Sequence, residues 1–240
     1  MIFAWAHGVG TDEAPALAAR FPGLGLVLYP TNYGAATDLA VPPIAYVTTI
    51  EHARVVRTLA TTGTPFAAAI VDDERNADGP SGSYLTPAEY ARRFAPIYDT
   101  LKGVVPVHTM GLAPVGSWWN HLTWDLRFDH AYHQQLPPAV GRAFNPNKVH
   151  GVRIREALDR HAGPWILSPA PFRGWWERLR STVTVRDWAR LSAREDVTAV
   201  ALWCLKEVQY SGGRWQSEHG LLDRHGQVTN VGREVLAALP

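Results

Sequence analysis

The sequence predicts a single (β/α)8 barrel, and three observations carry that reading. Short apolar runs alternate with helical stretches along the whole chain, the pattern of a parallel sheet with helices between its strands. About eight such units of roughly 30 residues fit into 240 residues, and a barrel of this kind typically takes about 250. Two of the runs, FAAAIVDDERN (Phe66–Asn76) and VTAVALWCLKE (Val197–Glu207), share one design: alanine-rich and apolar, then polar at the carboxyl end. Charges bunched at the end of a buried strand are costly unless that end opens to solvent, as the carboxyl ends of barrel strands do.

In chain order, Ile2–Ala6 reads as the first strand, ending at His7 and Gly8. Asp12 and Glu13 suit the first turn of a helix through about Arg20, where the helix dipole favours acids. Leu24–Tyr29 is the second strand, and the polar loop from Pro30 shows no convincing helix before Pro42-Pro43, so this second unit is degenerate. Ile44–Thr48 is the third strand, and Ile50–Thr61 has helical spacing at Ile50, Val55, Val56 and Leu59. Phe66–Asn76 supplies the fourth strand, whose three alanines call for a large neighbour or a close backbone. Thr86-Pro87-Ala88-Glu89 then starts a helix to about Leu101 with a cap, a first-position proline and a capping-box acid.

Val104–Met110 is the fifth strand and Phe128–Tyr132 a weak sixth. A helix is expected over Asn145–His161 and a seventh strand over Trp165–Ser168. Thr184 caps a helix to about Arg194, Val197–Trp203 is the eighth strand, and Thr229–Leu239 closes the chain. No linker divides the sequence, so one domain over residues 1–240 is expected. The alternative, a doubly wound open sheet, lacks its phosphate-binding signature: Gly8-Val9-Gly10 has no third glycine.

The net charge of +1, with acids and bases mixed, shows no stripe suited to nucleic acid or membrane. A lone cysteine, Cys204, allows no intrachain disulfide and reads as a buried thiol. The opening MIFAWAHG has no basic segment or long apolar run, so export by a signal peptide is not expected, and a cytoplasmic or virion-associated place is. Ten tryptophans are unusual, and several fall in loops, where flat aromatic faces suit sugar rings or plug a barrel end. No G-x-S-x-G elbow or P-loop supports acyl or phosphoryl transfer, and no cofactor is expected.

The last forty residues sharpen the picture. Trp203, a loop and then HGLLDRHGQVTNVGREVLAAL (His219–Leu239) resemble the close of many clan A glycoside hydrolases, which end in a strand-terminal Trp, a GL-D-G-x-P turn and a helix. Gly220, Leu221, Asp223, Gly226 and Thr229 are the equivalents here, with Val228 where the family often has proline. DDERN resembles the family's strand-four Asn-Glu pair, and YLTPAEYARRFAPIYDTLKG its following helix. The resemblance implies Glu74 as acid/base, with Asp73 in place of the usual Asn. It departs at strand seven, where the family's nucleophile position reads Ser168-Pro169-Ala170-Pro171 and holds no carboxylate. Compact barrels of this type also occur in phage tail proteins, which implies a polysaccharide partner and virion or homo-oligomer contacts.

Glycoside hydrolysis needs one carboxylic acid to protonate the leaving oxygen and a second carboxylate to attack or to activate water. Asp72, Asp73 and Glu74 crowd like charges at one strand end, which can hold one of them protonated near neutral pH; an acid paired with Arg75 explains the same letters. Glu207 is the candidate second carboxylate, either held ionised by Lys206 or merely paired with it in solvent. His130 and His133, with Asp129 beside them, have no third ligand at motif spacing, so no metal is expected, and His133 is read as a sugar contact or a loop histidine. Trp5, His7, Tyr29, Asp72, Trp118, Trp119, His133 and Trp203 are the expected saccharide-binding residues. Hydrolysis through Glu74, and a barrel that only binds sugar or builds a larger assembly, are the two functional expectations.

Overall fold

Eight parallel strands pair in chain order and close on themselves. The computed structural model describes residues 1–71, 87–111, 126–129, 165–167, 185–202, 204–207 and 220–239. The strands are β1 (Ile2–Trp5), β2 (Gly25–Leu28), β3 (Ile44–Val47) and β4 (Ala68–Val71). They continue as β5 (Val107–Gly111), β6 (Leu126–Asp129), β7 (Trp165–Leu167) and β8 (Val197–Leu202). β1 joins β8 with Phe3 opposite Ala201, which leaves no sheet edge.

Side chains alternate between two apolar layers, as period-two strands require. Phe3, Trp5, Val27, Ile44, Ala68, Ile70, Ile166, Ala199 and Ala201 fill the interior of the barrel. Ala4, Leu26, Leu28, Ala45, Val47, Ala69, Val71, Val107, Leu167, Val200 and Leu202 join the layer that also contains helix residues. The alanines of β4 and β8 now have their bulky neighbours. Ala68 lies beside Ile44, Ala199 beside Ile166 and Ala201 beside Phe3. The lumen is filled by two large rings of β1, and small residues elsewhere make room for them. Gly25 serves the same packing, because a Cβ there would collide with the Phe3 ring.

The helices follow from caps and stripes. In α2 (Ile50–Thr61) the Thr49 hydroxyl accepts the His52 N–H at 3.2 Å, and Ala53 and Val56 are buried. Val55, expected on the same apolar face, is instead 47% exposed. α3 (Pro87–Leu101) begins on its expected proline, buries Phe94, Ile97 and Leu101, and is followed by Gly103 at φ 75°. α4 (Val185–Leu191) buries Trp188, and α5 (Asn230–Ala238) buries Val231 and Val235. α1 (Glu13–Ala18) is short, and Asp12 at its start makes no side-chain capping bond.

The degenerate second unit holds a six-residue 3-10 helix, Tyr33–Asp38, in place of an α-helix. Two strand expectations shift. β5 starts three residues late because Pro106 has no N–H to give the ladder, although its carbonyl accepts the Ala69 N–H at 2.8 Å. β6 starts two residues early, where its register sets Leu126 opposite His108. The expected helix over Asn145–His161 and the caps at Thr86 and Thr184 lie outside the described residues. Among those described, no helix is long and apolar enough to cross a membrane.

Candidate functional site

Four rings meet at the carboxyl ends of β1, β2 and β3. Strand alternation turns Trp5, Tyr29 and Tyr46 toward the interior layer. Trp5 lies 5.8 Å from Tyr29 and 5.4 Å from Tyr46 between ring centroids, both tilted or edge-on. Tyr29 and Tyr46 stand 5.2 Å apart, and His7 meets Tyr29 edge-to-face at 5.0 Å. These are the offset geometries aromatic quadrupoles favour. His7, Tyr29 and Tyr46 are half-buried, so each retains accessible surface.

Trp5 differs from its expected role. At 1% exposure it has no open face for a sugar to stack on and packs against Tyr29 and Tyr46. Tyr46 was not singled out from the sequence, although its two-residue spacing from Ile44 gives it the inward position of β3. His108 is another: fully buried in β5, it lies opposite Ile70 of the interior layer.

The ring cluster is braced from behind by Asn32 and Tyr33. Asn32 is fully buried, and its amide donates to the Ala6 carbonyl at 2.9 Å and the Val9 carbonyl at 3.0 Å. Its side-chain oxygen accepts the Tyr29 N–H at 2.7 Å. One amide thus joins the end of β2 to the chain on both sides of His7. Tyr33, buried beside Phe66, donates its hydroxyl to the Tyr46 carbonyl. Burial pushes its phenol far above the ordinary tyrosine range, so it remains a donor throughout the working pH range.

On the other side of β1 the chain closes through Cys204–Glu207 and the turn that begins at Gly220. The Leu205 N–H donates to the Trp5 carbonyl at 2.8 Å, and Leu222 and Leu205 are joined by a backbone bond at 2.9 Å. The Asp223 carboxylate accepts the His225 and Gln227 N–H groups at 2.8 Å each, and Gly226 turns the chain at φ 77°. Thr229 caps α5 by accepting the Gly232 N–H at 3.1 Å and donates to the Gly220 carbonyl at 2.6 Å. The motif read from the sequence is therefore a locked turn.

Lys206 and Glu207, expected to pair with each other, are arranged otherwise. Lys206 pairs with Glu13 of α1 at 2.6 Å rather than with its neighbour. The Glu207 carboxylate accepts the Arg224 N–H at 3.2 Å, a contact inside the closing turn. Cys204 is buried and free, and its thiol donates to the Lys206 carbonyl at 2.9 Å. Burial, reinforced by the Glu207 charge, pushes its pKa far above that of a reactive thiol, so it stays protonated. Asp72, Asp73, Glu74, Trp118, Trp119, His133 and Trp203 lie outside the described residues, as do His130 and Ser168–Pro171.

No family model and no curated protein matches the chain. Solved structures do. The chain is similar over 94% of its length to a GH2 β-galacturonidase from Eisenbergiella tayi bound to galacturonate, with a TM-score of 0.63 at 10% identity. It spans 47% of that protein, about half its length. It matches a GH5_18 protein from Bifidobacterium longum subsp. longum over 99% of its length, with a TM-score of 0.60 at 14% identity, and covers 78% of that chain. A family 39 glycoside hydrolase from Bacteroides cellulosilyticus aligns over 99% of this chain and 63% of its own, with a TM-score of 0.55 at 11% identity. In fold, these neighbours are glycoside hydrolase barrels. Identities this low establish the shape alone, and function has to be argued from the site.

Proposed function

We propose that this chain, one domain over residues 1–240, binds an oligo- or polysaccharide at the carboxyl mouth of its barrel and cleaves it by carboxylate acid/base catalysis. The observation that supports this most is the group of half-buried rings, His7, Tyr29 and Tyr46, beside a buried tryptophan at the ends of three strands. A rigid aromatic surface with hydroxyl and imidazole groups at its rim suits a sugar, which offers one apolar face and a ring of hydroxyls. The fold likeness to glycoside hydrolases agrees with that chemistry.

Glu74 is the proposed acid. It follows Val71, the last residue of β4, by three positions, and Asp72 and Asp73 beside it raise the cost of ionising all three. Protonated, it gives its proton to the leaving glycosidic oxygen as that bond to the anomeric carbon breaks, while a second carboxylate takes a proton from the water that forms the new bond to the same carbon. Glu207 or Asp73 is the second carboxylate, and Asp72, Trp118, Trp119, His133 and Trp203 complete the proposed cleft. Glu74→Gln removes the transferable proton at constant shape, so hydrolysis of a polysaccharide panel falls about 10²- to 10⁴-fold. Unchanged hydrolysis removes Glu74 from the mechanism. Glu207→Gln separates the roles of the second acid: a large loss of turnover at unchanged melting temperature assigns it to chemistry, and unchanged turnover assigns it to the turn.

A second reading is a barrel that binds saccharide without cleaving it, as a module of a larger assembly such as a phage tail. The bond between Glu207 and the Arg224 amide favours it, because that carboxylate is already engaged. Polysaccharide binding by the intact chain with no released sugar, detected by reducing-end assay, distinguishes it from the first.

A further inference from the structure

We propose that Asn32 and Tyr33 are positioning residues. The short 3-10 unit that stands where a barrel helix is expected sets the spacing of His7, Tyr29 and Tyr46, and so which sugars that side of the mouth accepts. The proposal rests on reading the mouth as a saccharide site.

The geometry is specific to these two side chains. Asn32 uses both amide hydrogens and its oxygen on three backbone groups that frame two of the rings: the Ala6 and Val9 carbonyls around His7, and the N–H of Tyr29 itself. Tyr33, the next residue, holds the carbonyl of the third ring's residue, Tyr46. Neighbouring residues therefore fix three strand ends from one point. The point is itself held: Thr11 donates to the Thr31 carbonyl at 3.1 Å, and a Cβ at Gly34 would come within 3.1 Å of the Thr11 methyl. A full α-helix after β2 is unnecessary for closing the barrel, since β2 pairs directly with β1 and β3. The loop is thereby left to brace the rings. Stacking and hydrogen bonding to a sugar depend on ring placement at the scale of an ångström, so the brace acts on selectivity as well as on stability.

Asn32→Asp keeps the shape but turns an oxygen toward one or both carbonyls that the amide now serves. Tyr33→Phe deletes one hydroxyl at constant ring volume. Three measurements on the full chain read the result: aromatic ¹H–¹³C NMR shifts of His7, Tyr29 and Tyr46, melting temperature, and affinity for cello-, xylo-, manno- and chitotetraose. Asn32→Asp is expected to move the His7 and Tyr29 resonances, weaken the preferred tetraose about tenfold, and change the affinity ratio between tetraoses. Tyr33→Phe is expected to move Tyr46 while leaving His7 in place. A lower melting temperature with unmoved ring resonances, or with an unchanged affinity ratio, overturns the proposal. Should Asn32→Asp not fold, Tyr33→Phe decides alone. If the wild-type chain binds none of the four sugars, the saccharide reading of the mouth fails, while the ring resonances still decide the brace.

Discussion

The loops on the two sides of β1 use their polar groups in opposite ways. Toward β8, acids and a lysine at half-exposed positions tie the chain together: Lys206 pairs with the Glu13 carboxylate, Glu207 accepts the Arg224 N–H, and Asp223 accepts N–H groups of its own turn. Toward β3, an uncharged amide and a phenol, both buried, hold the strand ends that carry the rings. Charge is kept where water can share its solvation, and neutral donors are buried with their partners in place. The contrast also bears on chemistry. A carboxylate near a barrel mouth is not thereby free for catalysis, since Glu207 is already bonded to the closing turn. Uncharged loop residues, by contrast, can decide how a binding surface is shaped.

If that contrast is right, the buried side fails far more sharply than the exposed one. Asn32→Ala removes a fully buried amide that serves two carbonyls and an N–H; the Ala6 carbonyl keeps a long bond from the Val9 N–H at 3.4 Å, and each group left unsatisfied costs about 1–3 kcal/mol. A loss of about 3 kcal/mol in chemical denaturation is expected after solvent and relaxation recover part of the total. A loss below about 1 kcal/mol would mean that water replaces the amide there, and the division between the two sides would disappear.

The closing turn offers an intermediate case. Thr229→Ala removes the cap of α5 and the bond to the Gly220 carbonyl in one step. An N-cap of this kind contributes about 1 kcal/mol, so a denaturation midpoint shift of that size is expected. The closing seam then proves to be several modest contacts, where the other side depends on a single large one.

Why the barrel could be read from the sequence, and the brace could not, follows from the same physics. Interior strands such as Ala68–Val71 and Val197–Leu202 are continuous apolar runs, and that signal lies in the run itself. The Thr49 and Thr229 caps are likewise local, a side chain bonding three residues ahead. Asn32 bonds to residues 23 and 26 positions away, and nothing in Pro30–Gly34 marks one asparagine as buried rather than solvated. Tyr46 was legible by parity alone, because its place follows from Ile44 once the strand is assigned. The pairing of Lys206 was hidden for the opposite reason. Its partner Glu13 lies 193 positions away and meets it only because β8 closes onto β1.

That closure gives the smallest effect. The Lys206–Glu13 pair is short, at 2.6 Å, but its side chains are 25% and 41% exposed, so water screens much of the attraction. A double-mutant cycle with Lys206→Met and Glu13→Gln should return a coupling of about 0.5 kcal/mol, reduced further at high salt as surface pairs are. Glu207→Gln added to the cycle tests which acid the lysine serves. If Lys206 couples to Glu13 and not to Glu207, the pair belongs to the seam, and the lysine does not serve the adjacent acid. Coupling of Lys206 to Glu207 in place of Glu13 would restore the pairing expected from their adjacency and remove the lysine from the seam.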